Sequence, residues 1–201
     1  MTTYTKAIAC LFASAALFSS YKNHSAQDDT GWRVYGGSKK SQRYSSLTQI
    51  DTSNVKQLQV AWIYHTNDAD IKAHSQIQCN PIMVNGLLYG TTPKLRLFAL
   101  DASTGKQKWI FNPAGNTNSS ASNFGMNKNR GVTYWEDGDD KRILYCAGSN
   151  IYEVNAETGE LIASFGNGGK VDLHNDLGRD AKEMYITATS PGIIYKDNYI
   201  I

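Results

Sequence analysis

The apolar residues of this chain fall in short alternating runs, separated by turns rich in Gly, Asn and Asp. The clearest example is Leu97–Phe111, LFALDASTGKQKWIF, in which two apolar runs flank the turn sequence Asp-Ala-Ser-Thr-Gly. Alternation of apolar and polar residues is typical of a half-buried β-strand, and Gly readily adopts the positive φ that a tight turn needs. The stretch therefore predicts a β-hairpin that closes at Gly105.

The same pattern returns as IYEVNAETGELIASF at Ile151–Phe165. Thr104 and Gly105 align with Thr158 and Gly159, which lie 54 residues further along the chain. A repeat of roughly 40–55 residues that is made of short strands is typical of β-propeller blades. The sequence therefore predicts an all-β fold, a β-propeller of four-stranded blades.

Two blades and the start of a third can be traced. The first runs from about Asn80 to Phe111, with Asn85-Gly86 as its first turn. The sequence that follows Pro81 returns after Pro191 and opens a third blade. About two blades with flanking strands do not close a ring, so we expect residues 28–201 to be the N-terminal part of a longer propeller, incomplete at the C-terminus and aggregation-prone alone. The second blade is predicted to contain the strands Arg130–Trp135, Arg142–Ala147, Ile151–Asn155 and Leu161–Phe165.

Weaker signals precede the first blade. Gln59–Thr66, QVAWIYHT, alternates like a strand, and Trp62 resembles Trp109 in its context. Both indoles are predicted to pack between blades, where large aromatic surfaces are buried. Before them, Thr52–Leu58 predicts one helical turn with Thr52 or Ser53 as its N-cap. Two polar stretches that contain Gly are predicted to be loops, Asn112–Asn129 and Gly166–Lys182.

The first 27 residues differ from the rest of the chain. They carry one Lys near the start, then the apolar run AIACLFASAALFSS, and small residues near Ser25-Ala26. This order is typical of a secretory signal peptide that is removed near Ala26. The alternative is an uncleaved N-terminal anchor, which would keep the protein associated with the membrane. Either way, the protein is predicted to be exported.

Charge and cysteine content narrow the function classes. The 20 Lys and Arg residues against 18 Asp and Glu residues give a net charge of +2, which does not indicate a nucleic-acid partner. Removal of the signal leaves Cys79 and Cys146, which either form a disulfide or stay as two buried thiols. The four His residues show no metal-ligand spacing, so no His-based metal site is predicted.

Several ordered motifs resemble one protein family. From Gly31 onward, RYSSLTQI, NRGVTYW and TSPGII occur in the same order as in the N-terminal part of the quinoprotein dehydrogenases, which depend on pyrroloquinoline quinone (PQQ). The resemblance is greatest to the glucose dehydrogenase-like group. It implies an eight-bladed propeller with PQQ and a calcium ion near the axis, and oxidation of a sugar or alcohol hydroxyl. It also implies ubiquinone or a cytochrome as electron acceptor, and a location in the periplasm or on the outer face of the inner membrane.

The resemblance assigns four residues to the cofactor. Arg130 would offer its planar guanidinium to quinone oxygens or carboxylates, and Thr189 its hydroxyl. The alternatives are a surface or interblade arginine and a hydroxyl at a strand edge. Gln78 stands where several relatives have a Glu, so it brings an amide without charge. Trp135 stands where sugar-oxidising relatives have a His; it would stack on the quinone, or else it is an aromatic of the blade core. Neither that His nor the cysteine pair of alcohol-oxidising relatives is present, since Phe124-Gly125 occupies the latter place, so the substrate class stays undecided.

No catalytic residue or metal ligand is assigned in this chain. In the family, the catalytic Asp and the calcium ligands lie further along than residue 201, so we expect the chain alone to be inactive. Asp101 is interpreted as a turn residue, because Asn155 takes its place in the second repeat.

Two other functions are weighed against the enzyme. The same repeats are used by non-catalytic propellers that act as assembly or interaction scaffolds. A secreted sugar-binding or polysaccharide-degrading propeller is a weaker alternative, because no carboxylate pair with a defined spacing supports it. The Arg130 loop and the long inserts favour the dehydrogenase, since a plain scaffold needs only the blade repeat.

Overall fold

Three antiparallel sheets make up the computed structural model, which describes residues 31–72, 74–115 and 128–201. The predicted signal peptide and the pair Phe124-Gly125 lie outside the described residues. Two sheets have four strands each, in the orders β1-β2-β3-β4 and β5-β6-β7-β8, and the third is the hairpin β9-β10. The strands are β1 (Ile82–Val84), β2 (Leu87–Thr91), β3 (Leu97–Asp101), β4 (Gln107–Phe111), β5 (Thr133–Asp137), β6 (Asp140–Ala147), β7 (Asn150–Asn155), β8 (Lys170–Asp172), β9 (Ile193–Tyr195) and β10 (Asn198–Ile200).

The first blade confirms the predicted turns. Asn85 and Gly86 have φ values of 50° and 78°, the left-handed pair that a tight two-residue hairpin requires. At the next hairpin, Gly105 has a φ of 70°, and the Asp101 carboxylate accepts hydrogen bonds from the backbone N–H groups of Ser103 and Thr104, both at 3.1 Å. Local turn chemistry therefore sets the boundaries of β1 to β4.

The fourth strand of the second blade differs from the prediction. Leu161–Phe165 was expected to pair with β7, but only Leu161 forms a bridge, to Val154. The chain then turns, and Lys170–Asp172 pairs with the other half of β7 as β8. The turn needs Gly169, which has a φ of 91° and lies so close to Leu161 that a Cβ would come within 2.9 Å of that side chain. The prediction was wrong because Gly169 lets the chain turn, so that the later segment Lys170–Asp172 pairs with the free edge of β7.

The segment Gln59–Thr66 is not a strand, because no described residues form a backbone ladder with it. Its side chains still alternate: Ile63 is 70% exposed, whereas Trp62 packs on blade 1. The Trp62 indole N–H donates to the carbonyl of Ala102 at 3.1 Å, and its ring covers Gly105.

Trp109 makes the matching contact one blade further on. Its indole N–H donates to the carbonyl of Ala156 at 3.0 Å, and its ring covers Gly159 so closely that a Cβ there would lie 2.6 Å from it. The predicted packing role of Trp62 and Trp109 is thus confirmed.

The predicted helical turn is shorter than expected and has a different cap. It is a 3-10 helix at Val55–Gln57, preceded by Asn54, which forms no side-chain cap. Ser53 does not act as an acceptor at the N-cap. Its hydroxyl donates instead to the Asp51 carboxylate at 2.6 Å.

Blades 1 and 2 share one aromatic core. The Tyr89 and Trp109 ring centroids lie 6.0 Å apart, and the Tyr89 hydroxyl donates to the Ala156 carbonyl of the second blade at 3.2 Å. In the other direction, the fully buried Tyr145 donates to the carbonyl of Leu95 at 3.2 Å. These cross-blade bonds fix the two sheets relative to each other, because each buried hydroxyl needs its partner.

Candidate functional site

The first strands of the three sheets begin beside one another. We call the segments that precede β1, β5 and β9, residues 78–81, 129–132 and 189–192, the lead-in segments. The N–H of Asn80 donates to the carbonyl of Arg130 at 3.0 Å, and the N–H of Arg130 donates to the carbonyl of Thr189 at 2.8 Å. Arg130 is therefore the backbone link between the three segments: it bonds Thr189 directly, and it bonds Asn80, which follows Gln78 by two residues.

Asn129 fixes the backbone on one side of Arg130. Its side chain is 2% exposed and donates from Nδ2 to the carbonyl of Cys146 at 3.0 Å. Its Oδ1 accepts from the N–H of Gly131 at 2.9 Å and from the hydroxyl of Thr91 at 3.4 Å. Sequence reasoning missed this residue, because Asn is mostly exposed in proteins and nothing local in the sequence indicates that this one is buried.

Gly131 fixes the other side. A Cβ at this position would lie 3.0 Å from the Tyr35 ring, 3.2 Å from Pro191 and 3.4 Å from the carbonyl of Asn80. Only a residue without a side chain lets the three segments approach this closely. The sequence Asn-Arg-Gly thus combines a buried anchor, an exposed cation and a close backbone contact.

The Arg130 side chain points away from this packing. The residue is exposed, and its guanidinium makes no ion pair or hydrogen bond with any residue that the structure describes. Other arginines of the chain behave differently: Arg33 pairs with Glu136, and Arg96 pairs with Asp68 at 3.0 Å. Arg130 therefore has five N–H donors available to a ligand.

Thr189 and Gln78 are both half-buried. Within the described ranges, neither the Thr189 hydroxyl nor the Gln78 amide has a hydrogen-bond partner. The segment that carries Thr189 is held two residues earlier, where the Thr187 hydroxyl donates to the carbonyl of Gly148 at 2.9 Å. The backbone at Thr189 is thus fixed, while the polar ends of both side chains are available to a ligand.

Trp135 lies apart from these residues. It is the third residue of β5, it is paired in register with Arg142 of β6, and the Arg142 guanidinium lies 5.0 Å from the centre of its ring. Arg142 in turn bonds Glu153 at 2.9 Å. These contacts match the alternative in which Trp135 is an aromatic of the blade, and no contact joins it to Arg130.

Trp135 also lines a cavity. This cavity has a volume of about 360 Å³ and lies between residues 33–41 and the strands β5 and β9. Its walls are largely apolar and aromatic, with Tyr35 and Tyr134 beside Trp135. The Arg33–Glu136 ion pair lines it, and the Tyr134 hydroxyl donates to Glu136 at 2.7 Å, so these two charged groups already have partners.

Cys79 and Cys146, the cysteines among the described residues, are free thiols. Burial raises the pKa of both, that of Cys146 to about 11, so each thiol is neutral at pH 7. The described residues contain no group of three His, Cys, Asp or Glu side chains that could hold a metal ion. They also contain no helix long and apolar enough to cross a membrane.

The donors of the lead-in segments share one chemical character. A guanidinium, an amide and a hydroxyl all donate hydrogen bonds, and the guanidinium adds a fixed positive charge. Such a set suits a planar ligand that carries carboxylates or quinone oxygens. It suits a metal cation poorly, because the guanidinium repels a cation and the three side chains include no carboxylate.

Comparison with known proteins gives a consistent result. Residues 32–201 match the family model described as PQQ: glucose/ethanol/alcohol dehydrogenase, beta-propeller domain. Quinoprotein glucose dehydrogenase of Escherichia coli is 34% identical over 181 residues, which cover 83% of this chain and 22% of that protein. The dehydrogenase subunit of the quinone alcohol dehydrogenase of Gluconobacter oxydans is 33% identical over 69% of this chain and 19% of that protein.

Solved structures show the same fold. Quinohemoprotein alcohol dehydrogenase from Comamonas testosteroni matches 84% of this chain with a TM-score of 0.63 and 22% identity. A europium-containing methanol dehydrogenase matches 86% with a TM-score of 0.64 and 22% identity. The chain spans about a fifth of the length of the relatives that it matches.

Proposed function

Because the chain belongs to the PQQ-dependent glucose/ethanol/alcohol dehydrogenase β-propeller family, we propose that its lead-in segments form part of the PQQ site of an exported dehydrogenase. The enzyme oxidises a hydroxyl of a sugar or a simple alcohol. This chain supplies cofactor-binding residues, and the remaining blades of the whole protein supply the catalytic base and the metal ligands.

The observation that carries the proposal is the state of Arg130. Its backbone is bonded on both sides at 3.0 and 2.8 Å, yet its guanidinium has no partner within the described residues. A guanidinium without a partner, on a backbone that is held in place, has all of its donors available to a ligand. A surface arginine that serves only solubility needs no such fixation.

Each residue of this chain has a defined task in the proposed site. Arg130 binds oxygens of the cofactor through its forked donors, which favour planar, bidentate contacts. Thr189 and Gln78 donate single hydrogen bonds that fix the orientation of the ring, and Gly131 keeps the three lead-in segments close enough to act together. These residues would hold PQQ, which would supply the two-electron oxidising chemistry of the reaction. In all of these tasks, the chain binds and orients and does not itself move a proton.

The finer assignments follow from family membership and the N-terminal sequence. We place the protein in the periplasm or on the outer face of the inner membrane, with ubiquinone or a cytochrome c as electron acceptor. A calcium ion beside the quinone would polarise its carbonyl as a Lewis acid, through ligands outside this chain. The substrate is a small sugar or alcohol.

Binding of PQQ to the full-length protein tests the proposal. Arg130→Ala should weaken PQQ binding by about 10- to 100-fold, because hydrogen bonds to charged groups are worth about 1.5–3 kcal/mol. Arg130→Lys should recover only part of the affinity, since an ammonium lacks the planar fork. The readout is the dissociation constant from titration of apo-protein by quenching of tryptophan fluorescence.

Arg43→Ala is the matched control, because Arg43 is also exposed but lies before the blades. Equal affinity of the wild type and Arg130→Ala would remove Arg130 from the site. If the wild type binds no PQQ and shows no dye-linked oxidation of glucose or alcohols with PQQ and Ca²⁺ present, the protein is better described as a non-catalytic scaffold.

A further inference from the structure

Asn129 joins the two blades at the position where Arg130 leaves the core. Through Nδ2 it bonds the carbonyl of Cys146 in β6, and through Oδ1 it receives the hydroxyl of Thr91 in β2. The same Oδ1 receives the N–H of Gly131. One buried amide therefore connects the first blade, the second blade and the backbone on the far side of Arg130.

The chemistry of these three bonds needs an amide. An Asp would place a charge in a site that is 2% exposed and would lose the donor to Cys146. A Ser side chain has a single hydroxyl and is too short to reach both the carbonyl of Cys146 and the N–H of Gly131. An apolar residue would leave a buried carbonyl and a buried N–H without partners, which is the costly case.

The position of the amide matters more than its contribution to stability. Arg130 has its own N–H and carbonyl bonded to Thr189 and Asn80, and Asn129 removes the remaining freedom by fixing the next N–H, that of Gly131. The fixed backbone sets the point and direction at which the Arg130 side chain leaves the main chain.

We propose that Asn129 is a positioning residue for Arg130: its buried amide fixes the backbone from which the Arg130 side chain reaches an anionic, planar ligand. This inference rests on the proposed function, since the ligand is the cofactor that Arg130 would bind. Preorganisation matters because a fixed donor loses less entropy on binding than a mobile one. Thr91 acts in the same network, as a donor to the Asn129 oxygen.

A double-mutant cycle on the full-length protein separates positioning from stability. PQQ affinity is measured for the wild type, Asn129→Ala, Arg130→Ala and the double variant. We expect Asn129→Ala to weaken binding about fivefold to tenfold when Arg130 is present and less than about twofold when it is absent, because contacting residues couple. A role in stability alone would give the same loss in both backgrounds, and that result would overturn the inference.

Two milder substitutions, both at Thr91, allow the same test if the Asn129→Ala variant does not fold. Thr91→Val removes one donor to the amide without changing the size of the side chain, and Thr91→Ser restores the hydroxyl. We expect Thr91→Val to weaken PQQ binding about twofold to threefold with Arg130 present, Thr91→Ser to restore it, and no effect in the Arg130→Ala background. Equal losses in both backgrounds would contradict the inference here too.

Hydrogen exchange of the apo-protein gives a readout without cofactor. The Gly131 amide should exchange faster in Asn129→Ala than in the wild type, because its acceptor is lost. Unchanged exchange would overturn the inference while leaving the proposed function intact. Faster exchange in a protein that binds no PQQ would overturn the proposed function and, with it, the role of Arg130 as the ligand-binding group.

Discussion

The turns that begin at Asp101 and Asn155 look alike in the sequence, but their first side chains accept different sets of hydrogen bonds. Asp101 accepts hydrogen bonds from two backbone N–H groups and from the hydroxyls of Ser103 and Thr104, at 2.6 and 2.9 Å. In the second repeat, Asn155 accepts from two backbone N–H groups, at 2.9 and 3.0 Å. What both turns require is an oxygen two to three residues before the donors, and a negative charge is optional.

The carboxylate of Asp101 gives this turn a pH dependence. The hydrogen bonds from Ser103 and Thr104 lower the pKa of Asp101 to about 2. A lowered pKa contributes stability above the ordinary Asp value of about 3.9, and that stability is lost as the pH falls through about 2. We expect Asp101→Asn to reduce the slope of stability against pH over this range, whereas Asp101→Ala lowers the melting temperature at pH 7 as well.

Thermal unfolding between pH 2 and 7 measures both effects. Asp70→Asn is a control in which the acid lies outside the turn. An Asp101→Asn variant with the melting temperature of Asp101→Ala at pH 7 would show that the charge, and not the oxygen, holds the turn.

Two tryptophans each pack over the glycine of a turn that lies elsewhere in the chain. Trp109 of β4 covers Gly159, and Trp62 covers Gly105 in the same way, each with an indole N–H to a carbonyl of the covered turn. Glycine at these turns thus has two functions, since it takes a positive φ and leaves room for the indole.

Trp109 should be the more important of the two for stability. It is 8% exposed, whereas Trp62 is half-buried. We expect Trp109→Ala to lower the free energy of unfolding by about 3–5 kcal/mol, as is usual for a buried aromatic, and Trp62→Ala to lower it less. Urea denaturation of the full-length protein gives both values. A smaller loss for Trp109→Ala than for Trp62→Ala would contradict this order of packing.

A histidine clamps the connection from the second blade to Thr189. Nδ1 of His174 lies 2.6 Å from the Asp172 carboxylate and Nε2 lies 3.0 Å from the carbonyl of Met184. Both partners are acceptors, so both ring nitrogens must carry a proton to make both bonds. The bond to Asp172 and then that to Met184 raise the pKa of His174.

The clamp should weaken at alkaline pH. Because the pKa of His174 is raised, its stabilising effect is complete below the ordinary His value of about 6.5 and is lost as the pH rises through the raised value. Amides of residues 181–187 should therefore lose protection from hydrogen exchange as the pH rises, after correction for the intrinsic rate. His174→Gln should abolish this pH dependence, and His65→Gln, at an exposed site, should not. The same pH dependence in His174→Gln would exclude the clamp.

At the scale of the whole molecule, local signals were more reliable than distant ones. The turn glycines and the repeated hairpin pattern can each be recognised in a short stretch of sequence. They were sufficient to predict β1 to β7 and the hairpin β9-β10. The strand predicted at Leu161–Phe165 failed because β8 competes for the same edge, and competition between segments leaves no local trace. The strand predicted at Gln59–Thr66 failed for a related reason, since alternation shows which face is buried but not whether a partner strand exists.

In the candidate site too, residues that belong to short sequence motifs were predicted, whereas a residue that matters through burial was not. The resemblance to a known family led to Gln78, Arg130 and Thr189, and the structure places their segments side by side through two backbone bonds. It leaves Trp135 beside Arg142 instead. Asn129 was not predicted because its importance comes from burial between two sheets. Its hydrogen-bond partners in these sheets, Thr91 and Cys146, lie 38 and 17 residues away along the chain.

A crystal structure of the full-length protein with PQQ would show whether the lead-in segments contact the cofactor. We expect the Arg130 guanidinium within about 2.7–2.9 Å of a carboxylate or quinone oxygen of the cofactor, which is the usual length of a charge-assisted hydrogen bond. Thr189 and Gln78 should face the same ligand. PQQ bound elsewhere in the ring, with Arg130 in contact only with solvent, would contradict the assignment of the lead-in segments as part of the cofactor site.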